Sequence, residues 1–553
     1  MNNALRVLPL GGMGEIGRNC LVLEYQDNIL VIDAGIMFPS DDMPGVDLVI
    51  PDFQYLVERR DRVRGIIITH GHEDHIGGLP YLLSEVKAPV YATPLTRGLI
   101  EAKLRSRGLR DTADLHTLRP GDEVDLGPFQ VTPFHVNHSI PDAVGFAIRT
   151  PVGLVMHTGD FKIDHTPLDG RPMDLGELAV FSSEGVRLLL SDSTNAESAG
   201  YTASESQLED TFQQIFGRAK GRIVVATFAS LLSRVQLVIE TAARFGRRVA
   251  VAGRSMEENV AIAEGLGYVR FPEGVRVPLH EIGSLPDERV CILATGSQGE
   301  PNAALARMAA GNFRSVTIRE GDTVVLSAKA IPGNETAIYR NIDGLFMRGA
   351  DVIYGEKAGI HVSGHAAQEE LKTILNLLRP QHFVPVHGEY RMLHLHARMA
   401  HEMGIPQENT TILRNGLPLE LDQRTAAVGE RVDIETVFID GSVVGDVGAS
   451  ILRDRVALAQ DGFVVVRVAV DRASGQLLAG PEIATQGFVH APTAASMLET
   501  AESAIADAVR GNGNGDSSLA AEDISRRVKR RLENLFYDET RRRPVVVPMV
   551  TYA

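Results

Sequence analysis

The chain has 553 residues, 44% of them hydrophobic and 23% charged; this composition excludes a fibrous or disordered protein and predicts a globular α/β chain of about two to four domains. A formal net charge of −16 excludes indiscriminate binding to polyanions, so that any positive charge facing a nucleic acid has to be local. Two cysteines exclude a disulfide framework, and no apolar run is long enough for a membrane span, so we expect a cytoplasmic protein that does not enter membranes.

The first 203 residues consist of short apolar runs separated by turns. Several of these runs end in His or Asp, as in "NILVIDAG", "GIIITHGH", "FQVTPFHVNH" and "VGLVMHTGDF". Such a pattern predicts strands in a layered sheet whose end loops carry the chemistry.

A glycine-rich segment, "GMGEIG" at 12–17, formally matches the fingerprint of a dinucleotide-binding turn. The following "RNCLVLEY" predicts a strand, whereas that fingerprint requires a helix. We interpret the glycines as a strand-to-strand turn near the functional site and keep a dinucleotide site as the alternative.

The segment "HGHEDH" places four ligating side chains, His70, His72, Asp74 and His75, within six residues. Imidazole and carboxylate groups suit Zn²⁺ or Mn²⁺, and the absence of nearby cysteine argues against a closed structural site. A site for two metals needs further ligands, including one bridging carboxylate. The candidates at later predicted strand ends are His138, Asp160 and His387.

The pattern of predicted strands and helices changes along the rest of the chain. Residues 204–350 alternate strand and helix patterns, which predicts a parallel α/β domain inserted into the first one. Residues 351–435 return to strand-end histidines, residues 436–452 form a predicted linker, and residues 453–553 form a third domain. That domain has two helices joined by the loop "RGNGNGDSS" and a final strand "PVVVPMVTY".

Two charged segments have competing interpretations. Asp47, in "SDDMPGVD", and Asp440, in "FIDG", are candidates for a structural Ca²⁺ or Mn²⁺ site, or they belong to a solvated acidic loop. The run "RRVKRR" at 526–531 is the one dense positive segment that a nucleic acid would contact, but we interpret it as the solvated face of a helix.

Several separated motifs resemble known families. "HGHEDH", followed in order by His138 and Asp160, is similar to the signature of the metallo-β-lactamase superfamily. "SGH" at 363–365 and "VHGE" at 386–389 resemble its β-CASP branch, which processes nucleic acids. "GGMGEIGRN", "DSTNAE" and "ATGSQGEP" further resemble bacterial ribonuclease J. The implied fold is an αββα sandwich with an inserted β-CASP α/β domain and a small C-terminal α+β domain.

The resemblance also implies roles for individual residues. Two divalent metals are expected, Zn²⁺ first and Mn²⁺ or Mg²⁺ as alternatives, with one metal held by His70, His72 and His138 and the other by Asp74, His75 and His387. Asp160 is the implied bridge, and Asp33 the residue that orients a ligand from behind. His365 is implied as the acid for the departing oxygen, positioned by Asp192, with Asp74 also in the catalytic set. The implied pocket for a 5′-monophosphate consists of Ser297, Ser363, Gly364, His365 and Ala366, and the alternative is that these residues belong to ordinary α/β turns.

The resemblance implies a two-metal ribonuclease that removes nucleotides from the 5′ end of monophosphorylated, mainly single-stranded RNA and also cuts internally, in RNA maturation and decay. Metal-activated hydroxide would attack the phosphodiester. A homodimer or tetramer is expected, with RNA-degradation or ribosome-associated partners. The alternatives are a DNA-directed β-CASP nuclease, a small-molecule hydrolase such as a lactonase or thioesterase, and a catalytically silent RNA-binding subunit.

Overall fold

The computed structural model describes residues 3–40, 42–331, 333–441, 443–472, 474, 476–490, 494–510 and 520–552. The chain forms two compact units, Met1–Phe38 with Val49–Val437 and Pro39–Leu48 with Phe438–Ala553. The finer domain boundaries that we infer from the sequence, at 203, 350, 435 and 452, stay predictions. None of the helices in the described residues is long and apolar enough to cross a membrane.

The chain up to Asp192 is mainly β-structure. Its strands are β1 Leu5–Gly11, β2 Met13–Gly14, β3 Cys20–Tyr25, β4 Asn28–Ile32, β5 Leu48–Ile50, β6 Val63–Ile67, β7 Val90–Ala92, β8 Leu115–Thr117, β9 Val124–Leu126, β10 Phe129–His135, β11 Val144–Thr150, β12 Gly153–His157 and β13 Val186–Asp192. Its helices are α1 Gln54–Val57, α2 Glu73–Ile76, α3 Leu79–Glu85, α4 Pro94–Ser106 and α5 Leu175–Glu184.

The glycine-rich segment is a turn between strands. After it the chain enters β3, which pairs antiparallel with β1. The strand predicted at "LVLEY" is confirmed, and the helix that a dinucleotide-binding turn requires is absent between β1 and β3, where every residue is described. The side chain of Asn19, at the end of this turn, lies 3.2 Å from Nε2 of His75, as expected for a turn near the functional site.

The inserted part alternates helices and strands. Its elements are α6 Gln207–Arg218, β14 Ile223–Ala226, α7 Leu232–Arg244, β15 Arg248–Ala252, α8 Arg254–Gly265, β16 Val290–Ala294, α9 Ala304–Ala310, β17 Thr323–Leu326, α10 Glu335–Met347 and β18 Asp351–Ile353. The five strands form one parallel sheet in the order β15-β16-β14-β17-β18. All residues of β14, β16 and β17 are buried, because helices cover both faces of a parallel sheet, which explains their uninterrupted apolar sequences.

After the insertion the chain returns to the first two sheets. Its elements are α11 Gln368–Leu378, β19 His382–Val386, β20 Gly388–Glu389, α12 Tyr390–Glu402, β21 Leu419–Leu421 and β22 Ala426–Val428. β19 pairs parallel with β13, and β21 pairs antiparallel with β1. These pairings complete two sheets. The first has eight strands in the order β22-β21-β1-β3-β4-β6-β7-β8, and the second has six in the order β19-β13-β12-β11-β10-β9. Apolar side chains from both sheets share one core, so the predicted insertion into a sandwich is confirmed.

The second unit has its own core. Its elements beyond Pro39–Leu48 are β23 Val437–Asp440, β24 Val443–Val444, α13 Ala449–Asp461, β25 Phe463–Val470, β26 Leu477–Gln486, α14 Ala495–Arg510, α15 Ala521–Thr540 and β27 Val545–Tyr552. Alternate residues of β25 are buried, as expected for a sheet with one covered face. Four apolar side chains of α15, spaced by four residues, pack in this core: Ile524, Val528, Leu532 and Phe536.

One of the two sequence expectations for this unit's helices is confirmed, and the other falls on residues that the structure does not describe. The cationic side chains at 526 and 529–531 are exposed on α15, whereas Val528 is buried, so the basic run is the solvated face of a helix. The loop predicted between α14 and α15, "RGNGNGDSS" at 510–518, begins at the last residue of α14, and its residues 511–518 lie outside the described residues.

Candidate metal centre and catalytic site

The side chains singled out in the sequence converge because they follow the carboxyl ends of sandwich strands. His70, His138, Asp160 and His387 follow β6, β10, β12 and β19 respectively, and Asp192 is the last residue of β13. His387 has a φ of 52°, a left-handed conformation that is costly for a residue with a side chain and typical of functional sites.

The first group consists of His70, His72 and His138. Nδ1 of His72 lies 3.0 Å from Nε2 of His70 and 3.2 Å from Nε2 of His138. Burial lowers the pKa of His70 and His138 well below the usual value and lowers that of His72 to about 4. All three rings are therefore neutral at pH 7, and each carries a single N–H.

Hydrogen bonds at the far side of two of these rings fix where the lone pairs point. Nδ1 of His138 donates to the carbonyl oxygen of Gly364 at 2.8 Å. Nδ1 of His70 lies 3.0 Å from the hydroxyl of Thr69, which donates its own proton to Asp33. The Nε2 atoms of both rings thus present lone pairs to the same point, and one proton on His72 can serve only one of them. This donor set fits a divalent cation.

The second group consists of Asp74, His75, Asp160 and His387, whose ligand atoms lie within 4.8 Å of one another. Nε2 of His75 lies 3.3 Å from Oδ2 of Asp160, and Nε2 of His387 lies 3.3 Å from Oδ2 of Asp74. Burial lowers the pKa of His387, but the charge of Asp160 and the contacts with Asp192 and Asp74 together outweigh burial, and the pKa rises to about 10. Protonated imidazoles thus balance the carboxylates here, and a bound cation would replace those protons.

Asp160 connects the two groups. Its Oδ2 lies 3.7 Å from Nε2 of His70 and 3.9 Å from that of His138, in addition to its contact with His75. The side chain is only 3% exposed. This central position is the one that a carboxylate shared by two metals requires.

Asp33 and Thr69 form a layer behind the ligands. Oδ2 of Asp33 accepts hydrogen bonds from Nδ1 of His75 and from the Thr69 hydroxyl, both at 2.8 Å, and Oδ1 accepts from the Thr69 amide. The predicted orienting residue therefore contacts His75 directly and His70 through Thr69. Thr69 was missed by sequence reasoning, because a threonine beside a histidine motif carries no signal of its own.

His365 and Asp192 form a pair beside the second group. Nδ1 of His365 lies 2.8 Å from Oδ2 of Asp192, and its ring stacks on that of His387 with centroids 5.5 Å apart. Burial lowers the pKa of His365, but the charge and hydrogen bond of Asp192 and the charge of Asp160 together outweigh burial, and the net shift is upward. The side chain of His365 is 19% exposed while that of Asp192 is 1% exposed, so the imidazole keeps access to a substrate.

Thr194 is a second residue that sequence reasoning missed. Its hydroxyl lies 2.6 Å from Nδ1 of His387 and 2.8 Å from Oδ1 of Asp192. It therefore orients a candidate ligand and the partner of the candidate acid at the same time. Its place in "DSTNAE", two residues after Asp192, was the available signal.

Most of the predicted phosphate pocket adjoins the site. The Ser363 hydroxyl accepts from the His365 amide at 3.2 Å, the Gly364 carbonyl bonds His138, and Ala366 is buried. Ser297 lies beyond β16 in the inserted domain, and its buried hydroxyl has no hydrogen-bond partner among the described residues. Its membership of the pocket stays a prediction.

The predicted structural cation site has other partners within the second unit. Oδ2 of Asp47 accepts from the Gly441 amide at 2.7 Å, and Asp440 forms a salt bridge with Arg455. Neither carboxylate belongs to a group of potential metal ligands in the described part of the chain, so a cation there stays a prediction.

Comparison with known families covers nearly the whole chain. Residues 13–193 match the metallo-β-lactamase superfamily, 220–345 the ribonuclease J β-CASP domain, 354–410 the Zn-dependent metallo-hydrolase RNA specificity domain, and 450–553 the ribonuclease J C-terminal domain. In chain order, these matches correspond to the first part of the sandwich, the inserted α/β part, the return to the sandwich and the C-terminal part. They confirm the fold class.

Individual proteins are similar over most of their length. The chain is 42% identical to ribonuclease J 1 of Streptococcus pyogenes over 99% of this chain and 98% of that protein, and 40% identical to ribonuclease J of Mycobacterium tuberculosis over 99% and 97%. It is 48% identical to ribonuclease J of Synechocystis over 88% and 76%. A solved structure of a protein of unknown function from Enterococcus faecalis shares the fold, with a TM-score of 0.52, 17% identity and coverage of 76% of this chain and 100% of that one. The chain belongs to the ribonuclease J family of metal-dependent nucleases.

Proposed function

We propose that this protein removes nucleotides from the 5′ end of RNA that bears a 5′-monophosphate, and that it also cleaves RNA internally, in RNA maturation and decay in the cytoplasm. The observation that carries the proposal is the shared position of Asp160 between two ligand groups, with the His365–Asp192 pair beside them. The match to an RNA specificity domain over residues 354–410, the region that contains His365 and His387, supports RNA as the substrate.

Two divalent ions per chain, Zn²⁺ first and Mn²⁺ or Mg²⁺ as alternatives, would be held by the two groups. When bound, such ions neutralise charge on the phosphate and make water nucleophilic near neutral pH. The seven residues that would hold them are His70, His72 and His138 on one side, Asp74, His75 and His387 on the other, and Asp160 between.

His365 is the proposed general acid. Asp192 accepts from Nδ1 and holds the imidazole in one tautomer and orientation, which leaves Nε2 to carry the proton that the departing sugar oxygen needs. The upward shift of its pKa favours the protonated imidazole. The backbone at Ser363–Ala366 would bind the terminal phosphate and stop the chain one nucleotide from the metals.

The test uses one RNA sequence with a 5′-monophosphate, a 5′-triphosphate or a 5′-hydroxyl, together with the matching DNA. The purified chain is assayed with Mn²⁺, with Zn²⁺ and with a chelator. We expect mononucleotides released preferentially from the monophosphorylated RNA, and no release in chelator. Equal cleavage of RNA and DNA would contradict specificity for RNA. Hydrolysis of a lactone or thioester without cleavage of RNA would overturn the proposal.

A further inference from the structure

Glu370 is a buried carboxylate that lies outside the metal groups. It occupies the first turn of α11 and is 0% exposed. Its carboxylate accepts hydrogen bonds from three backbone amides, those of Ile163 at 2.8 Å, Thr202 at 2.6 Å and Ala367 at 2.8 Å. No salt bridge joins it to any residue that the structure describes.

Burying a carboxylate without a positive partner is costly, because its charge loses the stabilisation of water. Three amide donors and the positive end of a helix offset much of that cost. A glutamine or an apolar side chain would fill the same space at lower cost if the position served packing alone. The charge therefore indicates a need for three acceptor contacts at one point.

The three amides belong to different parts of the site. Ile163 lies three residues after Asp160, and Ala367 directly follows the turn Ser363–Ala366. Thr202 lies on the segment that leads into the inserted domain. Glu370 thus joins the loop of the proposed bridging ligand to the loop of the proposed acid.

A second hydrogen bond extends this connection to His365 itself. The Thr202 hydroxyl donates to the His365 carbonyl oxygen at 2.7 Å, and Nδ2 of the Asn195 side chain donates to the same oxygen at 3.2 Å. The Thr202 amide in turn donates to Glu370. The backbone of His365 is therefore held from one side through Thr202 and from the other through Ala367.

We propose that Glu370 is a positioning residue of the hydrolytic reaction, which fixes the backbone of His365 and thereby the distance between its imidazole and the scissile phosphate. This inference rests on the proposed function of His365 as the acid for the leaving oxygen. It adds a residue that touches neither metal nor substrate but determines where the proton donor stands.

The test variant is Glu370→Gln, which keeps the shape but turns an amide NH₂ toward a backbone N–H. We expect its kcat on monophosphorylated RNA to fall about 10-fold to 100-fold, the effect of a small misplacement of a catalytic group. The KM for that RNA should change less than kcat, and the content of bound metal should equal that of the parent chain.

An activated substrate separates positioning from general damage. Bis(p-nitrophenyl) phosphate releases a stable phenolate that needs no proton from an acid. If Glu370 acts through His365, the loss in Glu370→Gln should be much smaller on this diester than on RNA. His365→Ala should show the same contrast between the two substrates.

Two matched controls are available on the same helix. Glu369 is a surface residue paired with Lys372, so Glu369→Gln should match the parent chain. The Thr202→Val variant removes only the hydroxyl that bonds His365, and we expect a loss of about threefold to tenfold on RNA, as for one neutral hydrogen bond. Thr373→Val, whose hydroxyl bonds the Glu369 carbonyl, is its control. The Thr202 pair also keeps the inference testable if Glu370→Gln does not fold.

The outcomes are distinct. If the parent chain is active and both Glu370→Gln and Thr202→Val hydrolyse RNA at the parental rate, the inference is overturned and the proposed function stands. Equal losses on RNA and on the aryl diester would also overturn it, because damage would then not pass through the acid. A parent chain that hydrolyses no RNA would overturn both the proposed function and this inference.

Discussion

In the candidate metal centre, hydrogen bonds to neighbouring oxygen atoms fix the orientation of individual histidine rings. Asp33, Thr69, Thr194 and the Gly364 carbonyl each fix one ring nitrogen of a candidate ligand. Because a fixed Nδ1 hydrogen bond turns Nε2 toward the centre, this layer would determine which atoms face bound metals once any proton on Nε2 is displaced.

The role of His365 gives a prediction at this scale. His365→Ala should lower turnover of RNA about 10²-fold to 10⁴-fold, the usual contribution of a general acid, and leave two metals per chain. Metal content by mass spectrometry and single-turnover rates check this. Loss of metal in the variant would make His365 a ligand and contradict its assignment as the acid.

The two cysteines give another prediction. Burial, and next the charge of Asp33, raise the pKa of the Cys20 thiol, and burial raises that of Cys291 to about 12. Because only the thiolate is nucleophilic, both thiols should be unreactive toward a disulfide reagent at pH 8 in the folded chain. Two equivalents should react after unfolding in urea. Rapid reaction of either thiol before unfolding would contradict this.

The residue scale also shows where sequence reasoning stops. The histidine cluster was found because six residues contain four ligands, a pattern that chance rarely gives. Thr69, Thr194 and Glu370 have no such density, and glutamate in a helix is common. The roles proposed for them rest on contacts between residues far apart in the chain, which a single sequence does not record.

The apolar pattern of a strand reflects how many faces of its sheet are covered. The continuous apolar runs of β14, β16 and β17 predict a sheet covered on both faces, and the alternation in β25 reflects a sheet with one covered face. The sequence therefore predicted the parallel sheet of the inserted domain, whereas the one-sided burial of β25 is known only from the structure. The sequence did not predict that the segment assigned as a linker, 436–452, carries β23, β24 and the start of α13, because such short strands leave a weak pattern.

The helix α15 gives a prediction for the second unit. Leu532 is fully buried between Val528 and Phe536 along the helix, so Leu532→Ala should lower the free energy of unfolding of this unit by about 2–5 kcal/mol. Arg531→Ala, at the exposed neighbouring position, should leave it nearly unchanged. Unfolding in urea followed by circular dichroism compares the two, and equal effects would contradict the assigned core.

At the scale of the whole molecule, each of the two units contains segments that are separated in the sequence. Residues Pro39–Leu48 belong to the second unit, where the Asp47 amide donates to the Ile439 carbonyl at 2.8 Å. This membership depends on pairing between segments almost 400 residues apart, which is why sequence patterns placed those residues in the first domain.

The assembly gives the last prediction. Leu478, Val547 and Met549 are exposed on the sheet of the second unit, and we expect this unit to support a homodimer. A chain ending at Val437 should sediment as a monomer, and Met549→Lys in the full chain should weaken the dimer while hydrolysis per chain is retained. A truncated chain that stays a dimer would contradict this.

The contact between Asp74 and His387 spans 313 positions of the chain, and this spacing has a consequence during synthesis. Since chains are made from the amino end and domains fold as they emerge, the first ligand loop is complete long before its last partner exists. A nascent chain that ends before residue 387 lacks one candidate ligand of the second group. The growing nuclease should therefore be inert beside the messenger that encodes it, and gain activity only when about two thirds of its length has left the ribosome.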